Sequence, residues 1–168
     1  MRIVAGTARG RRLATLKGED TRPTMERVKE GMFSAVQFWL PGAKVLDLYA
    51  GSGQLGLEAV SRGAAHCVFV ENAREAAAII GENIRAAELT EQCRLVKSDV
   101  PAFLQKGAEV YDLVLADPPY RQGVFPGILP LVERVMAPGA LLLCETAPDA
   151  VLPAEAGQLL LEKQYRYG

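Results

Sequence analysis

Cysteine, histidine and tryptophan are scarce in this chain: among 168 residues there are three Cys, one His and one Trp. Cys67, Cys93 and Cys144 lie far apart with no C-x-x-C spacing, which excludes a disulfide scaffold and a zinc ribbon. Each sits in an apolar stretch and is expected to be a buried, reduced thiol of a cytoplasmic protein. His66 has no partner pattern for metal or triad chemistry, so it reads as structural and no metal is expected. Long apolar runs are missing too. No window reaches the roughly 18 residues that a membrane helix needs, and Met1–Thr7 lacks the apolar core of a signal peptide. No membrane partner is therefore expected. Repeats, linkers and low-complexity tracts are absent. The 49% hydrophobic and 23% charged residues exclude disorder, collagen and coiled coil, and the length suits one domain, 1–168.

The net charge of −1 conceals an asymmetry. Residues 1–30 hold eight of the 19 Lys and Arg but four of the 20 acids, which leaves 11 basic against 16 acidic residues beyond. A basic arm (1–23) on an acidic body suits a local polyanion contact or a solvated, partly ordered N-terminus.

From residue 44 onward the pattern alternates strand and helix. Strands are expected at Lys44–Leu48, His66–Val70, Arg94–Lys97, Tyr111–Ala116 and Gly139–Glu145, with a sixth at Leu159–Tyr167. Helices are expected at Gln54–Arg62 (closed by Gly63), from an Asn72 cap to about Glu88, near Pro101–Lys106 and over Val124–Val135. Before them, Thr24 is expected to cap an amphipathic helix over 24–40, with residues 2–16 as a small hairpin or loop. Trp39, near that helix's end, is expected in the core rather than on a stacking surface. Continuous apolar strands alternating with helices imply an α/β fold with a mostly parallel, doubly wound sheet.

Gly51-Ser52-Gly53-Gln54-Leu55-Gly56 fits G-x-G-x-x-G between a strand and a helix, and Glu71 closes the next strand. Glycines admit a close ligand, and a carboxylate at Glu71 can accept both ribose hydroxyls. These features serve NAD and S-adenosylmethionine alike. Asp47 tips the balance: at the strand end it would repel a pyrophosphate but favours an ammonium and a sulfonium. Asp-x-x-x-Gly-x-Gly resembles the first motif of class I methyltransferases. Asp99 would then meet the adenine amino group; with Ser98 it is also a good helix cap, and the two roles are compatible.

Asp117-Pro118-Pro119-Tyr120 follows the fourth strand. An exocyclic base amine is a poor nucleophile because its lone pair is delocalised into the ring. The Asp117 carboxylate and the Pro118 carbonyl can hold both its N–H bonds and favour the pyramidal nitrogen of the transition state. Proline stiffens the segment, and Tyr120 offers a face for a flipped base. The competing reading is a capped structural turn.

These motifs together resemble class I N-methyltransferases carrying D/N-P-P-Y/F. The chain resembles, more narrowly, the RsmD-type family of small-subunit ribosomal RNA guanine-N2 methyltransferases. The marks are Arg2-Ile3-Val4-Ala5-Gly6, Gly10-Arg11-Arg12-Leu13, Arg22–Glu30, Asp47–Gly53, Gly56–Ala59 and Asp117–Tyr120. The resemblance implies S-adenosylmethionine as cofactor and the N2 of one guanine in 16S rRNA as acceptor, within an assembling small subunit. It implies a cofactor site of Asp47, Tyr49, Ala50, Gly51, Ser52, Gly53, Gly56, Glu71, Asn72, Asp99, Val100 and Asp117, and a catalytic set of Asp117, Pro118, Pro119 and Tyr120. Arg9, Arg11 and Arg12 are candidates for phosphate contact. Arg22 and Thr24 lie in a segment that approaches the acceptor pocket in that family, and Arg121 with Gly123–Gly127 reads as a lid over the base or a surface loop. Class I methyltransferases usually end in a hairpin that completes the sheet; here only one of its strands is expected, so the final strand is expected to be missing and the chain truncated. The other enzyme reading is amine methylation of DNA adenine or protein glutamine. An NAD oxidoreductase is disfavoured by Asp47, and a non-catalytic RNA-binding module by Asp117.

Overall fold

The computed structural model describes residues 1–17, 23–119 and 124–166, with the backbone alone at 23–25. Five apolar segments pair as β1 Lys44–Leu48, β2 His66–Glu71, β3 Cys93–Lys97, β4 Tyr111–Ala116 and β5 Met136–Cys144. They lie in the order β3-β2-β1-β4-β5 with every neighbouring pair parallel. Because side chains alternate along a strand, each central strand feeds two cores. Val45, Leu113, Leu115, Cys67 and Phe69 face one side, while Leu46, Leu48, Val114, Val68 and Val70 face the other. The first core is covered by α1 Pro23–Ala35, α2 Gln54–Ser61 and α3 Arg74–Ala86; the second is covered by α4 Val100–Lys106 and α5 Val124–Glu133. Chain order reverses direction between β1 and β4, the place where open α/β sheets bind ligands at the carboxyl ends of their strands.

Residues 1–17 are fastened to this body. An antiparallel bridge joins Arg2 and Arg12, and Ile3 and Leu13 are buried beside α2 and α3 in the first core. Ser61 receives the turn between them: its Oγ accepts from Ala8 N–H at 2.9 Å and donates to the Ala5 carbonyl at 2.6 Å. A Cβ at Gly6, where φ is +89°, would stand 1.8 Å from the Ser61 carbonyl oxygen, so only glycine fits. Glu58, fully buried on α2, accepts from Val4 N–H at 2.8 Å and Ala5 N–H at 3.1 Å, with Arg62 Nε at 2.9 Å and Lys29 Nζ at 3.3 Å. Lys29 Nζ also donates to the Arg2 carbonyl at 2.7 Å. Burial pushes the Lys29 ammonium below its ordinary value, and Glu58 opposes that shift.

Several expectations need correction. The N-terminal helix begins at Pro23 and ends at Ala35, and Gln37–Trp39 form a separate 3-10 turn. Thr24 therefore lies inside the first turn, as suits a Pro at the helix start. Trp39 is 38% exposed and its Nε1 donates to the Gly139 carbonyl at 3.4 Å, so it lies at the surface, beside the fully outward Phe38. Asn72 does not cap α3: the cap is Ala73, without a side-chain bond, and Glu71 Oε2 accepts the Ala73 N–H. Only Cys67 is buried; Cys93 and Cys144 are partly exposed, and all three are free thiols. Leu159–Tyr167 adds no sixth strand. β6 Glu155–Ala156 and β7 Leu159–Leu160 form a separate antiparallel hairpin, tied to α5 where Glu133 Oε1 accepts the Gln158 N–H at 2.9 Å; Tyr167 lies outside the described residues. Among the described residues no helix is long and apolar enough to cross a membrane.

Candidate cofactor and acceptor site

Four carboxylates stand at the carboxyl ends of four adjacent strands. In sheet order they are Asp99 after β3, Glu71 ending β2, Asp47 near the end of β1 and Asp117 after β4. The parallel register produces this row: Asp47 pairs with Phe69 and Leu115, so the segments after Val70 and Ala116 emerge at the same edge.

The glycine loop is bent into place by backbone torsions that ordinary side chains resist. Tyr49, Gly51 and Gly53 have φ of 56°, 60° and 81°, and Gly53 N–H donates to the Ala50 carbonyl at 2.7 Å. Glu71 holds the loop by accepting Gly51 N–H through Oε1 at 2.9 Å. Gly53 caps α2 without a side chain. Gly56 lets that helix sit directly on β2, since a Cβ there would stand 2.3 Å from the Phe69 ring and 2.7 Å from Cys67 Sγ. Its contribution is thus close packing, plus an N–H donated to Asp47 Oδ2 at 2.9 Å.

A recess enclosing about 430 Å³ of space, part of it open solvent, is lined by Asp47, Tyr49, Ala50, Gly51, Ser52, Gln54, Leu55 and Asp117. The glycine loop and the start of the Asp-Pro-Pro-Tyr motif thus share one wall, as methyl transfer between them requires. Asp117 is half-buried, Pro118 buried and Pro119 exposed; Tyr120, Arg121 and Gly123 lie outside the described residues, as does Arg22. Burial drives the Asp47 carboxyl well above its ordinary pKa; the Gly56 N–H opposes this, and the charges of Asp117 and Glu71 add to it. The Tyr49 phenol is also raised, first by burial and then by the Asp99 charge. Asp99 does cap α4, its Oδ1 accepting Ala102 N–H at 2.7 Å. Val100 is buried and its side chain belongs to the second core, so only its backbone can meet a ligand. Asn72 is exposed beside Glu71. On the arm, Arg9 and Arg12 are exposed, while Arg11 pairs with Glu88 at 2.7 Å.

The acid row makes a sharp prediction about Asp47. Because its folded pKa is raised, the folded state holds the proton to higher pH than the unfolded chain. Ionised Asp47 therefore costs stability increasingly as pH rises from the ordinary carboxylate range toward the raised value. Asp47→Asn keeps an acceptor for Gly56 N–H and removes that cost. The variant is expected to melt higher than wild type at pH 7, with the gain vanishing near pH 4, and to bind a cationic ligand more weakly. Thermal melts across pH, paired with calorimetry, check both halves.

Two features escape the sequence patterns. Gln54 and Leu55 line the recess through their place at the start of α2, which the G-x-G-x-x-G spacing itself locates. Asn83 is 1% exposed on the apolar face of α3 and bonded to the loop. A polar residue interrupting the stripe Ala76, Ile80, Ile84, Ala87 is the only sequence signal for it.

This arrangement defines a Rossmann-like methyltransferase fold. The solved Escherichia coli structure named "Putative methyltransferase yhhF" superposes with a TM-score of 0.88 at 32% identity, covering 99% of this chain and 91% of that one. The chain belongs to the family described as conserved hypothetical protein 95, whose model matches residues 1–168, and this is the RsmD-type family. Among its relatives, the Bacillus subtilis (strain 168) protein named "Putative rRNA methyltransferase YlbH" is 32% identical over 173 residues, covering all of this chain and 94% of the relative. Ribosomal RNA small subunit methyltransferase D of Escherichia coli (strain K12) is 32% identical over 166 residues, covering 98% of this chain and 83% of the relative.

Proposed function

We propose that this protein transfers a methyl group from S-adenosylmethionine to the exocyclic N2 of one guanine in 16S rRNA, on an assembling small subunit. The observation that carries the reading is the acid row. Asp99, Glu71, Asp47 and Asp117 follow one another along the carboxyl ends of adjacent strands, an order that suits the adenine, ribose and ammonium of an extended aminoacyl nucleoside followed by the acceptor amine. The ribosomal RNA substrate class rests on the names its relatives carry.

The residues fit that cofactor. Ser52 lines the recess, and its Oγ is buried beside it without a hydrogen-bond partner among the described residues. Asp47 is a buried carboxylate awaiting a cation, and the glycine loop has no phosphate-neutralising residue. Asp99 would take the adenine amine, Glu71 the ribose hydroxyls, and Asp47 with the 49–53 loop the amino-acid end. Bound there, S-adenosylmethionine supplies an electrophilic methyl on a sulfonium.

The chain's own groups do the rest. Asp117 and the Pro118 carbonyl accept the two N–H bonds of the guanine amine and direct its lone pair at the methyl carbon. As the N–C bond forms and the C–S bond breaks, the nitrogen becomes cationic, and its surplus proton passes to Asp117 or to water. Tyr120 stacks on the splayed base, which is cheap to extrude from a hairpin loop. Arg9, Arg11, Arg12, Arg22, Thr24 and Arg121 are assigned to the RNA.

Mass spectrometry of rRNA from cells with and without this protein tests the reading. A 16S guanine that loses one methyl group in its absence is the expected result. Methyl transfer to duplex DNA or to a protein glutamine, with rRNA unchanged, would replace the substrate. The arm has its own test: Arg11→Ala with Arg12→Ala is expected to weaken RNA binding and flatten the slope of log K against log salt by about one to two. An unchanged slope removes both residues from the RNA contact.

A further inference from the structure

Asn83 joins the arm to the glycine loop. Its Nδ2 donates to the carbonyl oxygens of Ala14 and Ser52, each at 2.9 Å, and its Oδ1 accepts from Ala14 N–H at 2.7 Å. Ala14 is thus gripped at both backbone groups, as a strand neighbour would grip it, immediately after the buried Leu13. On the other side the bond fixes the Ser52 peptide in the loop that lines the recess. A carboxamide offers two donors and two acceptor positions; three are spent, and all three bind backbone. Rotating this side chain at 1% exposure would break bonds at both ends at once.

Before Ala14 the arm carries Arg9, Arg11 and Arg12, all exposed, with Arg11 paired to Glu88. Any ligand that steadies these residues also steadies Ala14, and through one side chain the Ser52 peptide. We propose that Asn83 is a positioning residue coupling the basic arm to the cofactor loop, so that RNA held by the arm tightens cofactor binding. By linkage, bound cofactor must tighten RNA binding by the same factor. The inference rests on the methyl-transfer reading above and adds a coupling to it: each ligand's affinity depends on whether the other is bound.

The test uses the full chain, S-adenosylhomocysteine and an RNA hairpin with an unpaired guanine in its loop. By calorimetry, saturating hairpin is expected to tighten S-adenosylhomocysteine binding to wild type by about fivefold or more. In Asn83→Ala the factor is expected to fall to about one, while each ligand alone still binds. A role confined to stability would lower the melting temperature and leave the factor intact, so an unchanged factor in a folded variant overturns the proposal, as does a wild type without coupling. If Asn83→Ala fails to fold, amide exchange on wild type decides. S-adenosylhomocysteine alone should slow exchange at Ala14 N–H, and hairpin alone at Gly53 N–H; absence of either cross-protection overturns the coupling. A wild type that binds neither ligand refutes the methyl-transfer reading itself, a result distinct from independent binding of both.

Discussion

Asp117→Ala is expected to cut single-turnover methylation by about 10²–10³-fold, the usual cost of losing one preorganised partner of a developing charge. Cofactor affinity should survive within a small factor. Asp117 lines the recess with Asp47, and its charge is among the influences raising the Asp47 carboxyl. Removing Asp117 therefore lets Asp47 ionise more readily, which favours rather than harms the hold on a cationic ligand. The acceptor side has no such compensation. Pro118, buried beside Asp117, keeps its carbonyl but can fix only one N–H bond, so the amine regains rotational freedom and its lone pair stays conjugated. Asp117→Asn separates geometry from charge, because it retains one acceptor oxygen and cannot take the proton. An intermediate rate for Asn would show that orientation carries part of the effect; a rate equal to that of Ala would assign it to the carboxylate charge. Turnover near wild type in Asp117→Ala, with S-adenosylhomocysteine still bound, would remove the Asp117 carboxylate from the chemistry.

The legible part of this fold is its parallel sheet. Lys44–Leu48 and Tyr111–Ala116 match their expected limits, because nearly continuous apolar runs mark buried parallel strands and the Gly51 loop and Pro118-Pro119 follow them closely. The acid row is legible for a related reason: each acid sits within two residues of the end of such a run. What the sequence leaves hidden depends on partners distant in the chain. Asn72 is a good cap by residue type, yet the helix starts one residue later, with Ala73 as its cap. Trp39 has the composition of a core residue, but α1 stops at Ala35 and the following turn faces outward toward Gly139. The last strand fails because Gly157, at φ 61°, turns the chain back on itself beside Glu133. The arm hides most: Ile3, Val4, Ala5 and Gly6 read as a short motif, and only α2 and α3 reveal that Glu58, Ser61 and Asn83 exist to receive it.

Glu58→Ala should be the most destabilising single change in that anchorage. The carboxylate is fully buried and answers four donors: two backbone N–H groups of the arm, Lys29 and Arg62. Truncating it leaves Lys29, 3% exposed, as a buried cation that still donates to the Arg2 carbonyl but has lost its contact with a carboxylate at 3.3 Å. Breaking one side of a buried ion pair costs about 3–5 kcal/mol, which in a domain of this size lowers the melting temperature by about 10 °C. Arg62 suffers less, since it is 16% exposed and its guanidinium lies 5.2 Å from the Phe33 ring. The origin of the loss is separable by a second change. Glu58→Gln keeps an acceptor for an arm N–H, and combining it with Lys29→Met removes the stranded cation, so the double variant should be more stable than Glu58→Ala despite carrying two substitutions. Denaturant titrations of the three proteins decide the matter. If the double variant is the least stable, the packing of α1 on α2 rather than charge burial holds this corner together, and the arm's attachment would have to be traced to Ser61 and Asn83 alone.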